Sequence, residues 1–223
     1  MNSVPKIDLS IIEAFKELDT TSVSDALDRL GITGGLLGIK PVVADTAICG
    51  QAFTVHYVPC GNVKGTVGDF LDDVEPGQVV VIDNSGRDYC TVWGDLMSIR
   101  STRMGVAGTV IDGVCRDIPA IKKIGYPIFT KGTYMVTGKD RVYVDAVNVP
   151  VSISGVQVKA GDIIIGDETG VLVVPMERAG EVLKVSQEIA QKEAFIEEAI
   201  KNGSTLRDAR AKAGYHQLQT RKD

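Results

Sequence analysis

The chain has 223 residues, 44% of them hydrophobic and 24% charged. That is enough for one well-buried core and too short for two full-sized domains, so residues 1–223 are read as a single domain. A net charge of −5 gives no electrostatic ground for a nucleic-acid ligand, and no apolar run is long enough to cross a membrane.

The first eight residues lack the basic-then-apolar pattern of a secretory signal, so the expected location is the cytoplasm. An amphipathic helix begins around Ile11, Ile12 and Phe15. A second is predicted over 21–30, capped by Thr20 or Thr21 and stopped by Gly31. After a flexible turn at Gly34, Gly35 and Gly38, residues 48–55 read as a strand. Alternation over 52–58 makes His56 a structural residue within it. Residues 63–74 look helical, Pro76-Gly77 is a turn and 78–83 a buried strand. Asn84-Ser85-Gly86 reads as a polar loop and a secondary candidate for lining a pocket.

A helix is predicted over 96–104, starting at Gly94-Asp95. The apolar, β-branched run 106–111 reads as a buried strand ending in Asp112-Gly113. The next helix begins at Asp117, with Pro119 in its first turn and Gly125 past its end. Residues 127–130 give another short strand, and 131–149, rich in Gly, Lys and Asp, a surface meander. Residues 157–167 and 171–175 read as an antiparallel pair around a solvated acidic turn, 167–170. A helix over 177–201 offers Val182, Val185, Ile189, Phe195 and Ile196 as an apolar stripe. The polar tail from Leu206 reads as a segment ordered by a partner subunit. Strands interleaved with helices, plus a late hairpin, give a mixed layered α/β domain.

Chemistry concentrates at Asp95, Arg116 and Asp117. Arg116 and Asp117 fall where a strand gives way to a helix, the place where ligands gather in open α/β sheets. The free N–H groups of the helix starting at Gly94-Asp95 can hold a carboxylate, and Gly94 allows close approach to the backbone. Singly, either aspartate is a favoured helix cap and Arg116 an ordinary ion-pair residue. Together they describe an anion-and-metal pocket. The only histidines, His56 and His216, argue against a multi-histidine metal site or a Ser-His-Asp triad. The four cysteines form no C-x-x-C pair. Cys115 reads as a small residue packed at a strand end.

The arrangement Gly94-Asp95-Leu96-Met97, followed by Arg116-Asp117, resembles the class II pyruvate aldolases of the 4-hydroxy-4-methyl-2-oxoglutarate aldolase type. These lie within the superfamily similar to the RNase E activity regulator A. The resemblance runs from about Ser22 to about Ile200. It implies a layered β/β/α sandwich of the swivelling-domain type with mixed sheets and a long C-terminal helix, assembled as a homotrimer or homohexamer. It implies a lyase that releases pyruvate from a 2-keto acid, with oxaloacetate decarboxylation through the same enolate. Asp117 would hold Mg2+ or Mn2+, and Arg116 would stabilise the enolate. The backbone of Leu96 and Met97 after Gly94 would bind the carboxylate, and Asp95 would position a water. Glu193 is the candidate acid from a neighbouring subunit, and Lys139, with Lys131 as the alternative, the pocket lysine. Regulator-type relatives inhibit a ribonuclease and lack the second aspartate, so Asp117 favours an enzyme. A Schiff-base aldolase needs a buried lysine, and none of Lys122, Lys123, Lys131 or Lys139 lies within a convincing buried strand.

Overall fold

The computed structural model describes residues 6–62 and 65–215. Helices α1 (Leu9–Lys16) and α2 (Thr20–Arg29) are followed by β1 (Lys40–Pro41), β2 (Ile48–Pro59), β3 (Val79–Thr91), α3 (Asp95–Met104) and β4 (Gly108–Cys115). Then come α4 (Ile118–Ile124), β5 (Ile128–Thr133), β6 (Val142–Val147), β7 (Val151–Ile153), β8 (Val156–Val158), β9 (Ile163–Gly166), β10 (Val171–Val174), α5 (Ala179–Lys201) and α6 (Leu206–Ala213).

The main sheet runs β1-β5-β4-β3-β2-β9-β10, with β6 also on β2. Its centre, β2 to β5, is parallel, and β1, β6, β9 and β10 join it antiparallel. Strand alternation sorts the side chains into layers. Phe53, Val55, Tyr57, Val80, Ile82 and Ile111 pack with Trp93 and Ile121, beside α3 and α4. Their sequence neighbours Ala52, Val79, Val81 and Val110 pack with Phe129, Ile164 and Val173 and with the β7–β8 hairpin. The opposite faces of β9 and β10, through Ile163, Ile165, Leu172 and Val174, pack with residues of α1, α2 and α5. The result is the expected mixed-sheet layered α/β fold with a long C-terminal helix. Among the described residues no helix is long and apolar enough to cross a membrane.

Several elements depart from the sequence reading. The α2 cap is Asp19, whose carboxylate accepts from Ser22 N at 2.6 Å. Thr20 instead donates its amide and hydroxyl to Asp167, so the acidic 167–170 turn is tied to α2 rather than merely solvated. Among the described residues of the helix expected over 63–74, only a 3-10 turn at Asp69–Asp73 forms. Gly65 and Gly68 lie where a side chain would press on Tyr143 and Met97, so this stretch is shaped by close contact rather than by helix propensity.

The expected loop at 84–86 lies inside β3, where Ser85 and Gly86 adopt left-handed φ of 51° and 66° and the register with β4 shifts. β4 likewise runs on through Asp112 and Gly113. Buried Asp112 is compensated by Lys131 Nζ at 2.5 Å and by the Ser154 amide at 2.9 Å, so the acid does not end the strand. The surface meander over 131–149 is replaced in part by the end of β5 and by β6, which pairs with β2. Residues 156–158 pair with β7 rather than with β10, and the turn before β9 is closed by Asp162, which accepts from Lys159 N and Met176 N. Phe195 is 53% exposed and leaves the apolar stripe of α5. Residues 206–213 of the tail form α6, capped by Thr205. His56 lies 3.4 Å from Asp83, a structural setting, and His216 lies outside the described residues.

Removing Lys131 tests the compensation of Asp112. Lys131→Met should lower unfolding stability by about 2–3 kcal/mol, near the lower end for a broken buried pair because the lysine is one-third exposed. Adding Asp112→Asn should recover part of that loss in the same denaturant titration. An unchanged midpoint for the single variant would show the charge to be solvated.

Candidate active site

Two strand-to-helix junctions meet at one cleft. β3 leads through Trp93 and Gly94 into α3, and β4 leads through Arg116 and Asp117 into α4. Because β3 and β4 are parallel neighbours, both helix starts emerge at the same sheet edge. Arg116 N donates to Trp93 O at 3.1 Å, joining the two junctions directly.

Asp117 stands at the N-cap position of α4 with φ 60° and ψ 35°, a left-handed conformation. Such backbone costs a non-glycine residue on the order of 1–2 kcal/mol, although aspartate tolerates it better than most. Its side chain makes no cap hydrogen bond. The carboxylate turns instead toward the other junction, where Oδ2 accepts from Asp95 N at 3.4 Å and lies 3.4 Å from Arg116 Nε. Only a glycine permits this approach, since a Cβ on Gly94 would sit 2.5 Å from that oxygen. The helix-cap role open to Asp117 in the sequence is therefore not the one it takes. Asp95 is no cap either. It is the first residue of α3 after Gly94, and its Oδ1 accepts from Leu96 N at 2.8 Å.

The cleft, about 470 Å³, is lined by Gly94, Asp95, Leu96, Met97, Arg116, Asp117 and Lys139, all expected from the sequence. Lys139 is exposed, whereas Lys131 is paired with Asp112, so Lys139 is the pocket lysine of the two. Glu193 is not among the lining residues. It lies half-buried on α5, where burial and then the charges of Asp25 and Asp19 push its carboxyl above the ordinary range. Nor do Asn84, Ser85 and Gly86 line the cleft. Sequence reasoning missed the 65–69 wall, mistaken for helix, and the contributions of Thr91, Trp93 and Thr137. Trp93, the only tryptophan and adjacent to Gly94, was the available signal. Burial pushes the Cys115 thiol up to about 12, as for an inert packed residue.

Residues 20–173 match the RraA-like family, described as Aldolase/RraA. Protein DlpA of Legionella pneumophila subsp. pneumophila is 42% identical over 212 residues, 93% of this chain but 34% of that protein, so the chain spans about a third of that relative. A protein of Halalkalibacterium halodurans named "Putative 4-hydroxy-4-methyl-2-oxoglutarate aldolase" is 36% identical over 177 residues, 79% of this chain and 82% of its own. The crystal structure of Streptomyces coelicolor RraAS2, described as an unusual member of the RNase ES inhibitor RraA protein family, is 27% identical with a TM-score of 0.80, covering 86% of this chain and 98% of that one.

The contact between the junctions yields a direct test. Gly94→Ala should displace the Asp117 carboxylate from Asp95 N and Arg116, as a crystal structure of the variant would record, while the circular dichroism spectrum stays native. A carboxylate unmoved in the variant would show that residue 94 does not set its position.

Proposed function

The chain belongs to the RraA-like family, and on that premise we propose that it is a divalent-metal-dependent carbon–carbon lyase. Its substrate is a 4-hydroxy-2-keto acid of the 4-hydroxy-4-methyl-2-oxoglutarate type, cleaved to release pyruvate. Oxaloacetate decarboxylation passes through the same enolate. The observation that carries this reading is the Asp117 carboxylate, held in a left-handed backbone beside Arg116 and released from helix capping.

The donor chemistry fits a hard cation. Asp117 offers a partly exposed carboxylate, and Gly94 keeps open the space next to Oδ2 that a Cβ would fill. Asp117 would hold Mg2+ or Mn2+, with water and substrate oxygens completing the shell, as suits ions bound through one or two carboxylates. Once bound, such an ion supplies Lewis-acid polarisation of the keto group. Arg116 then stabilises the negative charge that grows on the keto oxygen as the C–C bond breaks. The substrate carboxylate is received by the N–H groups of Leu96 and Met97 at the start of α3. It replaces the Asp95 contact to Leu96 N, which frees Asp95 to orient a water for the proton transfer. Lys139, exposed at the rim, suits a substrate anion rather than the buried Schiff base of the rival aldolase class.

In this reading the reaction is cytoplasmic and the active unit a homotrimer or homohexamer, with Glu193 delivered to the cleft of a neighbouring subunit. The likeness to RraAS2 supports a second reading, a non-catalytic ribonuclease-inhibitor type of binding protein. Metal-dependent release of pyruvate from a panel of 2-keto acids separates the two.

Chelation should silence the wild type, and pyruvate release in excess chelator would remove the metal from the reading. Asp117→Asn should abolish turnover at unchanged Tm, because asparagine also accepts left-handed backbone and no cap bond is lost. Arg116→Lys should lower kcat by about 10²-fold, the size of losing one oxyanion donor. Turnover near that of the wild type would place enolate stabilisation elsewhere.

A further inference from the structure

Trp93 is 2% exposed and packs parallel to Tyr126, with ring centroids 6.0 Å apart and planes 6° from one another. Its indole Nε1–H donates to Ser98 Oγ at 2.9 Å, and the same Ser98 hydroxyl donates to Gly94 O at 3.0 Å. Its own carbonyl accepts from Arg116 N at 3.1 Å. One residue thus holds both halves of the cleft, the first turn of α3 through its side chain and the Arg116 backbone through its main chain. Gly94 gives α3 no side-chain cap, and the Trp93–Ser98–Gly94 chain of hydrogen bonds ties the Gly94 carbonyl and the first turn of α3 to the indole.

We propose that Trp93, acting through Ser98, is a positioning residue that sets the distance between the α3 amides and the Arg116–Asp117 pair. This rests on the lyase reading above. A substrate that bridges the amides and the guanidinium reacts only if their separation is right, and the indole N–H bond controls it. Tyr126 supports the indole from its far side and is itself fixed by Thr109 at 2.9 Å.

Trp93→Phe keeps an aromatic ring over Tyr126 but removes the donor, and Ser98→Ala removes the acceptor. Each should lower kcat by about tenfold or more per folded molecule, with KM changed far less, because misplacement acts on the reacting geometry. The double variant should be no slower than the slower single one, since both changes break the same bond. Thr102→Ala breaks a bond to Ser98 O one turn further along α3 and should leave kcat unchanged, with Tm unchanged or slightly raised, because alanine is the better helix former at this exposed position. A merely structural Trp93 predicts a different pattern: lower Tm in the Trp93 and Ser98 variants with wild-type kcat per folded molecule. Near-wild-type kcat in either folded single variant overturns the proposal, and Ser98→Ala remains decisive if Trp93→Phe does not fold. Should the wild type release no pyruvate from any 2-keto acid, the lyase reading fails first. Oxalate titration then judges the positioning role alone. A tenfold weaker affinity in both variants supports it, and unchanged affinity or no binding to the wild type overturns it.

Discussion

The geometry of the site depends on the contact between Gly94 and the Asp117 carboxylate, at a distance no side chain on residue 94 could share. Two consequences follow at opposite ends of the contact. The carboxylate gains a fixed orientation beside Arg116 without a capping hydrogen bond, and α3 begins without a capping side chain. Each helix start gives up an ordinary source of local stability, on the order of 1 kcal/mol for a good cap. The junctions lean on one another instead. Local rules are broken here together, as is common where a structure is shaped for a ligand rather than for its own stability.

The parallel centre of the sheet makes this meeting possible. In a parallel pair, the connections that leave the strands do so on the same side, so β3 and β4 deliver their helices to one edge. Adjacency in the sheet converts a separation of about twenty residues in sequence into hydrogen-bonding distance in space. The cost of ordering so many long-range contacts is offset by apolar runs in the first half of each strand. Val79 to Ile82 are wholly buried, as are Val110 and Ile111.

Much of this was legible from residues alone, and what was not has identifiable causes. The runs 78–83 and 106–111 announce buried strands, and Pro119 and Gly125 bracket α4 as expected. Polar residues were misread wherever the fold satisfies them from afar. Asp112 reads as a strand end until Lys131 and the Ser154 amide are known to meet it. Ser85-Gly86 reads as a loop, since turn chemistry and a bulge within a strand draw on the same residues. The cleft itself was foreseen on its helical side, where glycine and charge signals are strong. Its 65–69 wall was not, because apolar spacing there mimics a helix while Gly65 and Gly68 serve close packing. Glu193 shows the limit of reading one chain, for α5 sets it near Asp19 and Asp25 rather than in its own cleft.

The pairing of Asp83 with Asp112 across β3 and β4 bears on how the chain assembles. Like charges directly opposite each other disfavour a strand pair. Asp83 has early neighbours in Ser85 N and His56, whereas the partners of Asp112 and a further one for Asp83 arrive later in the sequence: Lys131 on β5, and the Ser152 and Ser154 amides of the β7–β8 hairpin, at 3.3 Å and 2.9 Å. A nascent chain ending near Gly125 holds the apolar halves of both strands but none of these three partners. Asp112 therefore gains its partners only when the downstream hairpin and β5 lie against the middle of the sheet, a closure over a long stretch of chain. The hairpin, which contributes nothing to the cleft lining, is thus the element that closes the charge balance inside the sheet.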